Sequence, residues 1–345
     1  MNEYFYVKAQ LLFEGIKITN SAKVALNKLS EIWLMNDYIT CSGVTLNFKN
    51  LYVTTIPNDN AKFILDYDTD FFIEINDEKV SVNVIVPPEY MKDDIVIGGK
   101  KITCYINTYT DRIRIQLISG CANSCKFCNA KEFKYEFNDL VSLDKALKIG
   151  LSERKVRHAL ISSGNAKNEK DLQNFTKYYE YFCSKYKDLE IDLMTPPRGF
   201  NNYKSKNKYI SYLMHLKEIG ICGLSTNIEL YNLDKLKYYC PEKYDIGQDN
   251  YFYFIEEAVK IFGKNRVRSL IIVGLEPLEY TLKGVEELAK IGCNPTLSPL
   301  FPYGEAQGNL STELFIEARR KSEEICDKYN ISLGPLCLPC SHNTL

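Results

Sequence analysis

Six short apolar segments alternate with helix-like segments over the C-terminal two thirds of the chain, and this alternation most constrains the fold. The segments are RIRIQLI (112–118), HALISS (158–163), EIDLMT (190–195), ICGLSTN (221–227), VRSLIIVG (267–274) and NPTLSPL (294–300). Each is short and mostly apolar, as expected for a strand that is buried on both faces. Alternating strands and helices form parallel sheets with right-handed crossovers. The sequence therefore predicts an α/β fold, a partial (β/α)6 barrel of the TIM type.

Amphipathic helices are predicted between these strands. A leucine repeat every four residues follows Ser142, which we predict as an N-cap. A second apolar stripe comprises Leu172, Phe175, Tyr179 and Phe182. A third stripe stops at Gly292, which is expected to be a C′ residue.

Residues 1–110 have a different pattern. A helical start over about 5–35 is followed by strand-like runs separated by Asn, Asp, Gly and Pro. We therefore predict a small N-terminal α+β (β-rich) accessory domain over 1–110, the barrel over 111–335, and a cysteine-containing tail over 336–345.

Composition limits the function classes. The chain has 345 residues, of which 45% are hydrophobic and 25% charged, and its formal net charge is −1. This balance gives no pull toward nucleic acid or an anionic membrane, so neither is an expected partner. The sequence shows no export signal and no long apolar span, and a cytoplasmic location is expected. Twelve cysteines in such a chain favour reduced thiols, some of them metal ligands, over disulfides.

Three of these cysteines lie within eight residues. Cys121, Cys125 and Cys128 follow the first predicted barrel strand with the spacing Cys-x3-Cys-x2-Cys. Active sites of such barrels lie at the C-terminal ends of the strands. A [4Fe-4S] cluster usually takes four thiolates, so three close cysteines would leave one iron open to another ligand. The alternatives are a zinc knuckle that borrows a remote ligand and chance clustering.

The loop SGCANSCKFCNAKEF, with the aromatic Phe127 before the third cysteine, resembles the radical S-adenosylmethionine (radical SAM) superfamily. The resemblance covers about residues 111–335. It implies an oxygen-sensitive enzyme with a [4Fe-4S] cluster and S-adenosylmethionine (SAM) as cofactors. The cluster, on Cys121, Cys125 and Cys128, would cleave SAM to a 5′-deoxyadenosyl radical that abstracts hydrogen from a small-molecule or carrier-bound substrate. Reduced flavodoxin or ferredoxin would donate the electron.

Later motifs resemble the biotin, lipoyl and methylornithine synthase branch, and this resemblance implies SAM contacts. Ser163 and Gly164 match a turn that binds the methionine ammonium, although Asn165 replaces its acid. STNIELYN resembles an Asn-x-Glu element, which gives Asn227 and Glu229 contacts to the ribose or the amino group. Gly274 matches a position where backbone approaches the adenine.

Two arginines are candidates for the methionine carboxylate, because a guanidinium binds a carboxylate through two hydrogen bonds. Arg198 follows the end of the third strand, whereas Arg268 begins the fifth and is expected to face away.

After a predicted last strand, NISLG (330–334), the chain ends with Cys337, Cys340 and His342, half of a metal-site pattern. Cys337 and Cys340 are therefore a candidate second metal site, with Cys293 or Cys326 as further ligands. Otherwise the tail plugs the barrel bottom or lines the substrate pocket. His158 and His215 are expected to be packing or surface residues. Isolated, buried thiols are expected at Cys41, Cys104, Cys183, Cys222 and Cys240.

Two other functions remain open from the sequence. An auxiliary cluster on the tail would make the protein a sulfur-inserting enzyme. The three clustered cysteines could instead serve an iron–sulfur electron carrier or sensor, although carriers are usually small and fully ligated.

Overall fold

The computed structural model describes residues 3–35, 42–92, 94–198, 206–301, 305, 306, 308 and 311–344, so Cys41 lies outside the described residues. Its helices are α1 (Glu3–Glu14), α2 (Asn20–Leu29), α3 (Leu140–Glu153), α4 (Glu169–Lys185), α5 (Lys206–Glu218), α6 (Leu233–Tyr239), α7 (Pro241–Ile246), α8 (Gln248–Phe262), α9 (Leu278–Lys290) and α10 (Thr312–Lys328).

The strands of the N-terminal part are β1 (Lys17–Ile18), β2 (Val44–Phe48), β3 (Leu51–Thr55), β4 (Ile64–Tyr67), β5 (Phe71–Ile75), β6 (Glu78–Ser81), β7 (Asn83–Ile85), β8 (Val96–Ile97) and β9 (Lys100–Lys101). Those that follow are β10 (Ile106–Tyr109), β11 (Arg112–Ile115), β12 (Ile118–Ser119), β13 (Glu136–Phe137), β14 (His158–Ile161), β15 (Glu190–Met194), β16 (Gly223–Ser225), β17 (Val267–Val273) and β18 (Asn294–Pro299).

A seven-stranded sheet forms the centre of the C-terminal part, in the order β10-β11-β14-β15-β16-β17-β18. All pairs from β11 to β18 are parallel, and the helices between them supply the crossovers. The six predicted strands are present, and the predicted α/β partial barrel is confirmed. The seventh strand, β10, pairs antiparallel with β11 and was not predicted. Strand β10 therefore lies before residue 111, where the sequence predicts that the barrel begins. Thr110, with φ of 53°, turns the chain from β10 into β11.

Among the described residues, the N-terminal part contains α1, α2 and three small sheets, ordered β1-β4-β5-β6, β3-β2-β7 and β8-β9. The helical start predicted over about 5–35 consists of two helices, because strand β1 separates α1 from α2 and pairs with β4. Buried side chains of this part, such as Leu11 and Leu46, belong to the same apolar cluster as Ile113 and Leu224 of the barrel. The division into domains at residue 110 stays a prediction.

Helix ends and the last predicted strand can be checked directly. The N-cap of α3 is Asp139, not Ser142; its side chain accepts a hydrogen bond from the Ser142 amide. Gly292 has φ of 80° just beyond α9, as expected for a C′ residue. The segment NISLG does not form a strand, because only Gly334 makes a single bridge, to Thr296 of β18.

The parallel strands give the sheet two chemically different ends. The cysteine loop and the residues after β14, β15 and β16 lie at the C-terminal ends of the strands. Asp111, His158 and the tail lie at the opposite ends. Among the described residues, no helix has the length and apolar character needed to cross a membrane.

Candidate active site

The cysteine loop is closed at its base by a short ladder. Strands β12 and β13 pair antiparallel, with Ile118 opposite Phe137 and Ser119 opposite Glu136. Gly120 then turns the chain with φ of 68°, and a Cβ at this position would lie 2.5 Å from the Phe133 carbonyl oxygen. Because other residues rarely adopt this backbone conformation, a glycine is required where the loop begins.

The segment α6–α7 holds the other side of the loop. The Ser124 amide donates to the Glu242 carboxylate at 2.9 Å, and the Lys126 amide donates to the Tyr239 carbonyl at 2.9 Å. These bonds replace the regular secondary structure that the loop lacks. They fix the loop against a segment distant in sequence.

Backbone amides point at two of the three sulfur atoms. Cys121 Sγ accepts from the amides of Asn123 at 3.3 Å and Asn165 at 3.1 Å, and Cys128 Sγ accepts from the Ala130 amide at 3.4 Å. Burial raises the pKa of Cys121, and its two amide donors oppose this effect. Burial also raises the pKa of Cys128 to about 11. Amide donors of this kind stabilise thiolate ligands.

The third sulfur, that of Cys125, has a thiol neighbour. Cys240, at the junction of α6 and α7, shares a hydrogen bond with Cys125, which lowers the pKa of Cys125 and raises that of Cys240. Cys240 is fully buried, as expected. The expectation that Cys240 is isolated is wrong, because the fold places its thiol beside Cys125 of the cysteine loop.

A cavity of about 170 Å³ brings together the residues that the sequence assigned to SAM and the cluster. Its lining includes Cys121, Cys125, Phe127, Cys128, Ser163, Gly164, Asn165, Arg198, Asn227 and Glu229. Gly274 is not among the lining residues; it has φ of 106°, and its carbonyl lies against Gly308. Its adenine contact stays a prediction.

The turn after β14 packs directly against the cysteine loop. A Cβ on Gly164 would lie 1.9 Å from the Gly120 carbonyl oxygen and 2.6 Å from Cys121 Cα. The neighbouring Asn165 accepts a hydrogen bond from the Ala122 amide through its carbonyl at 3.2 Å. Since Asn165 also donates its own amide to Cys121, this turn positions the first cysteine.

Arg198 is one of two cationic residues that line this cavity, the other being Lys243. Arg198 is 2% exposed, its Nη2 donates to Asn165 Oδ1, and its guanidinium lies over the Phe175 ring. Its Nε and Nη1 atoms are buried and have no hydrogen-bond partner among the described residues. Such buried donors are costly unless a ligand pairs with them. Arg268, by contrast, pairs with Asp192 at 2.8 Å near the other ends of the strands, as expected.

Glu229 has a partner that sequence reasoning missed. Lys243 Nζ contacts Glu229 Oε1 at 2.8 Å and the Asn227 carbonyl at 2.7 Å. Burial is the largest single effect and would lower the pKa of Lys243, but Glu229 together with Tyr251, Cys125 and Cys240 outweighs it, and the pKa is raised. Lys243 is therefore a protonated partner of the Glu229 side chain. No motif around Lys243 marks it, because it reaches the site only through the fold of α7.

The tail does not reach this cavity. His342 is buried at the N-terminal part, where its Nδ1 contacts Thr54 Oγ1 at 2.8 Å and its ring stacks on Tyr109. Cys337 and Cys340 instead lie beside His158 at the start of β14. The tail therefore does not line the cavity at the cysteine loop.

Comparisons with known proteins agree with this architecture. No protein-family model matches the chain. The bacteriochlorophyllide c C-7(1)-hydroxylase of Chlorobaculum limnaeum is 31% identical over 119 residues, which is 33% of this chain and 30% of that protein. A radical SAM methyltransferase structure from Sphaerobacter thermophilus matches with a TM-score of 0.50 and 13% identity, covering 94% of this chain and 84% of that one.

A further similar structure is the FeFe-hydrogenase maturase HydG from Carboxydothermus hydrogenoformans, with a TM-score of 0.48 and 16% identity over 63% of this chain. The match spans 51% of the maturase. The match to the Sphaerobacter thermophilus structure shows that the chain has the partial-barrel fold of that radical SAM enzyme, which confirms the resemblance at the level of the fold.

We expect Gly164→Ala to displace the cysteine loop, because the added Cβ has no room beside the Gly120 carbonyl. Iron bound after anaerobic reconstitution should fall well below that of wild type, for which we expect about four atoms per chain. Ser163→Ala is the matched control, since it removes a hydroxyl from the same turn and adds nothing. Both variants should keep the wild-type circular dichroism spectrum. A Gly164→Ala protein with full iron content would contradict this account of the turn.

Proposed function

We propose that this protein is a radical SAM enzyme that uses a [4Fe-4S] cluster and SAM to abstract hydrogen from a small-molecule or carrier-bound substrate. Cys121, Cys125 and Cys128 would hold the cluster. When bound, the cluster supplies one electron that cleaves SAM reductively and yields the 5′-deoxyadenosyl radical. Reduced flavodoxin or ferredoxin, in the cytoplasm, is the expected source of the electron.

One observation carries the proposal. The three cysteines line the same cavity, at the C-terminal ends of the strands, as the buried Arg198, two of whose nitrogen atoms have no hydrogen-bond partner in the part of the chain that the structure describes. Three thiols suit a cubane with one open iron. A planar guanidinium suits a carboxylate, such as that of the methionine part of SAM. The residues present therefore fit both groups.

The remaining residues would orient SAM. Asn165 holds Arg198 through its side-chain oxygen, so the missing acid of the turn is replaced by a residue that positions the carboxylate binder. Glu229 uses Oε1 for Lys243, which leaves Oε2 for a ribose hydroxyl or the amino group. The contact with Lys243 fixes the position of the Glu229 side chain at the edge of the cavity.

The position of the tail argues against sulfur insertion. A sulfur-donating cluster has to lie close to the substrate, but Cys337 and Cys340 lie beside His158, where β14 begins. Four residues of strand separate that end from the turn at Ser163, on the order of 13 Å. A sulfur donor on the tail would therefore lie at the end of the strands opposite the cavity.

We expect replacement of Cys121, Cys125 or Cys128 by Ala to abolish reductive SAM cleavage, because each change removes one thiolate from the cluster. The measurements are iron content and 5′-deoxyadenosine formed with dithionite and SAM in the absence of oxygen. Cys222→Ala, a cysteine outside the cavity lining, is the matched control and should keep both. Wild-type protein that binds iron yet forms no 5′-deoxyadenosine would favour the electron carrier. Full cleavage in any of the three variants would exclude the proposed cluster site.

We also expect Arg198→Gln to weaken SAM binding by roughly ten- to a hundredfold, since it removes a charge-assisted interaction of about 1.5–3 kcal/mol. Equilibrium binding of SAM to the reconstituted protein measures the change. Arg268→Gln is the control, because its guanidinium pairs with Asp192 at the other end of the sheet. Equal dissociation constants for Arg198→Gln and wild type would show that Arg198 does not bind the SAM carboxylate.

A further inference from the structure

Four potential metal ligands converge at the N-terminal ends of the strands, on the side opposite the cysteine loop. They are Asp111, His158, Cys337 and Cys340, and one ligand atom from each lies within 4.8 Å of every other. Asp111 comes from the turn between β10 and β11, His158 is the first residue of β14, and the two cysteines belong to the tail. Among the described residues, this is the group with the geometry of a site for a single ion.

The distances fit a tetrahedral site. His158 Nε2 lies 3.2 Å from Cys340 Sγ and 3.8 Å from Cys337 Sγ, and Asp111 Oδ1 lies 3.9 Å from His158 Nε2 and 3.8 Å from Cys337 Sγ. A tetrahedron with metal–ligand bonds of about 2.0–2.3 Å has edges of roughly 3.3–3.8 Å. The ligand atoms therefore need to move little to share one ion.

The chemistry of the four donors indicates which ion. Two thiols, an imidazole and a carboxylate are ligands that Zn²⁺ accepts in tetrahedral coordination, whereas calcium and magnesium prefer oxygen alone. Four protein ligands leave no open position, which is typical of a structural zinc site. We therefore propose that Asp111, His158, Cys337 and Cys340 form a structural zinc site.

Neighbouring groups support such a site. Arg157 donates to Asp111 Oδ2 at 3.1 Å and to Cys337 Sγ at 2.7 Å, which orients both residues and leaves Asp111 Oδ1 toward the other ligands. Hydrogen bonds of this kind fix ligands and offset the charge of two thiolates and a carboxylate. A cleft of about 200 Å³, lined by His158, Cys337 and Cys340, gives an ion access from solvent.

The site would hold the open sheet together at its base. After α10 the chain bridges β18 at Thr296 through Gly334, and within a few residues Cys337 reaches β11 and β14 near the other edge of the sheet. The tail then contacts the N-terminal part, where Lys8 donates to the Ser341 carbonyl at 2.7 Å. One zinc ion would therefore cross-link the base of the barrel and fix the tail beneath it.

Metal analysis of the full-length, anaerobically reconstituted protein tests this site. We expect about one zinc per chain beside about four irons. The double variant Cys337→Ser, Cys340→Ser should lose the zinc and keep the iron. His158→Gln should lose zinc as well, whereas His342→Gln, the histidine of the sequence pattern, is the matched control and should retain it. Asp111→Asn, a milder change, should release zinc to a chelator faster than wild type.

Two further measurements keep the test independent of how well each variant folds. Co²⁺ bound to wild-type protein in place of zinc should show the absorption of a tetrahedral thiolate site, and zinc should displace it. Removing zinc from wild type should lower the melting temperature by several degrees and free two additional reactive thiols.

Several results would overturn the proposal. One is a wild-type protein without zinc whose Cys337 and Cys340 are free or disulfide-bonded. A second is zinc that depends on His342 and not on His158. A third is an iron count near eight that falls by half in the double cysteine variant, which would identify an auxiliary cluster.

Discussion

Parallel pairing from β11 to β18 places the carboxyl ends of six strands at one end of the sheet and their amino ends at the other. Each crossover helix returns the chain to the amino end of the next strand. The loops that follow the strands, where barrels of this type have their active sites, therefore all lie at the carboxyl end. The cysteine loop, the turn at Gly164 and Arg198 meet there, although they follow three different strands. The same constraint sends the tail, which follows the last helix, to the opposite end.

The strands and the three loop cysteines could be predicted because their signals are local. Each apolar run spans only a few residues, and Cys121, Cys125 and Cys128 lie within eight residues. Both patterns can therefore be recognised in the sequence alone. Cys240 and Lys243 could not be predicted, because they reach the site from α6–α7 and their short-range pattern is that of an ordinary surface helix. Cys240 lies against Cys125 and Lys243 pairs with Glu229, and these contacts form only when the chain folds.

The wrong predictions have physical reasons of the same kind. Ser142 and Asp139 are both good N-cap residues, and the helix begins at the earlier one because Asp139 can cap the Ser142 amide. The tail pattern Cys-x2-Cys-x-His suggested His342, but stacking on Tyr109 and the bond to Thr54 take that ring into the N-terminal part. Sequence spacing cannot identify such partners, since Thr54 and His158 lie far along the chain from the tail residues that they contact.

The two groups of cysteines differ in how their charge is balanced, and this difference separates their chemistry. Arg198 and Lys243 line the cavity, and two Arg198 nitrogen atoms have no hydrogen-bond partner among the residues described, so the site has binding capacity left for an anionic ligand. At the tail, Arg157 already bonds both Asp111 and Cys337, and the four ligand atoms face one another. An open, cationic cavity favours turnover of a ligand, whereas a closed set of four ligands favours a permanent ion. In the two proposed sites, the same residue type would serve catalysis at one end of the sheet and stability at the other.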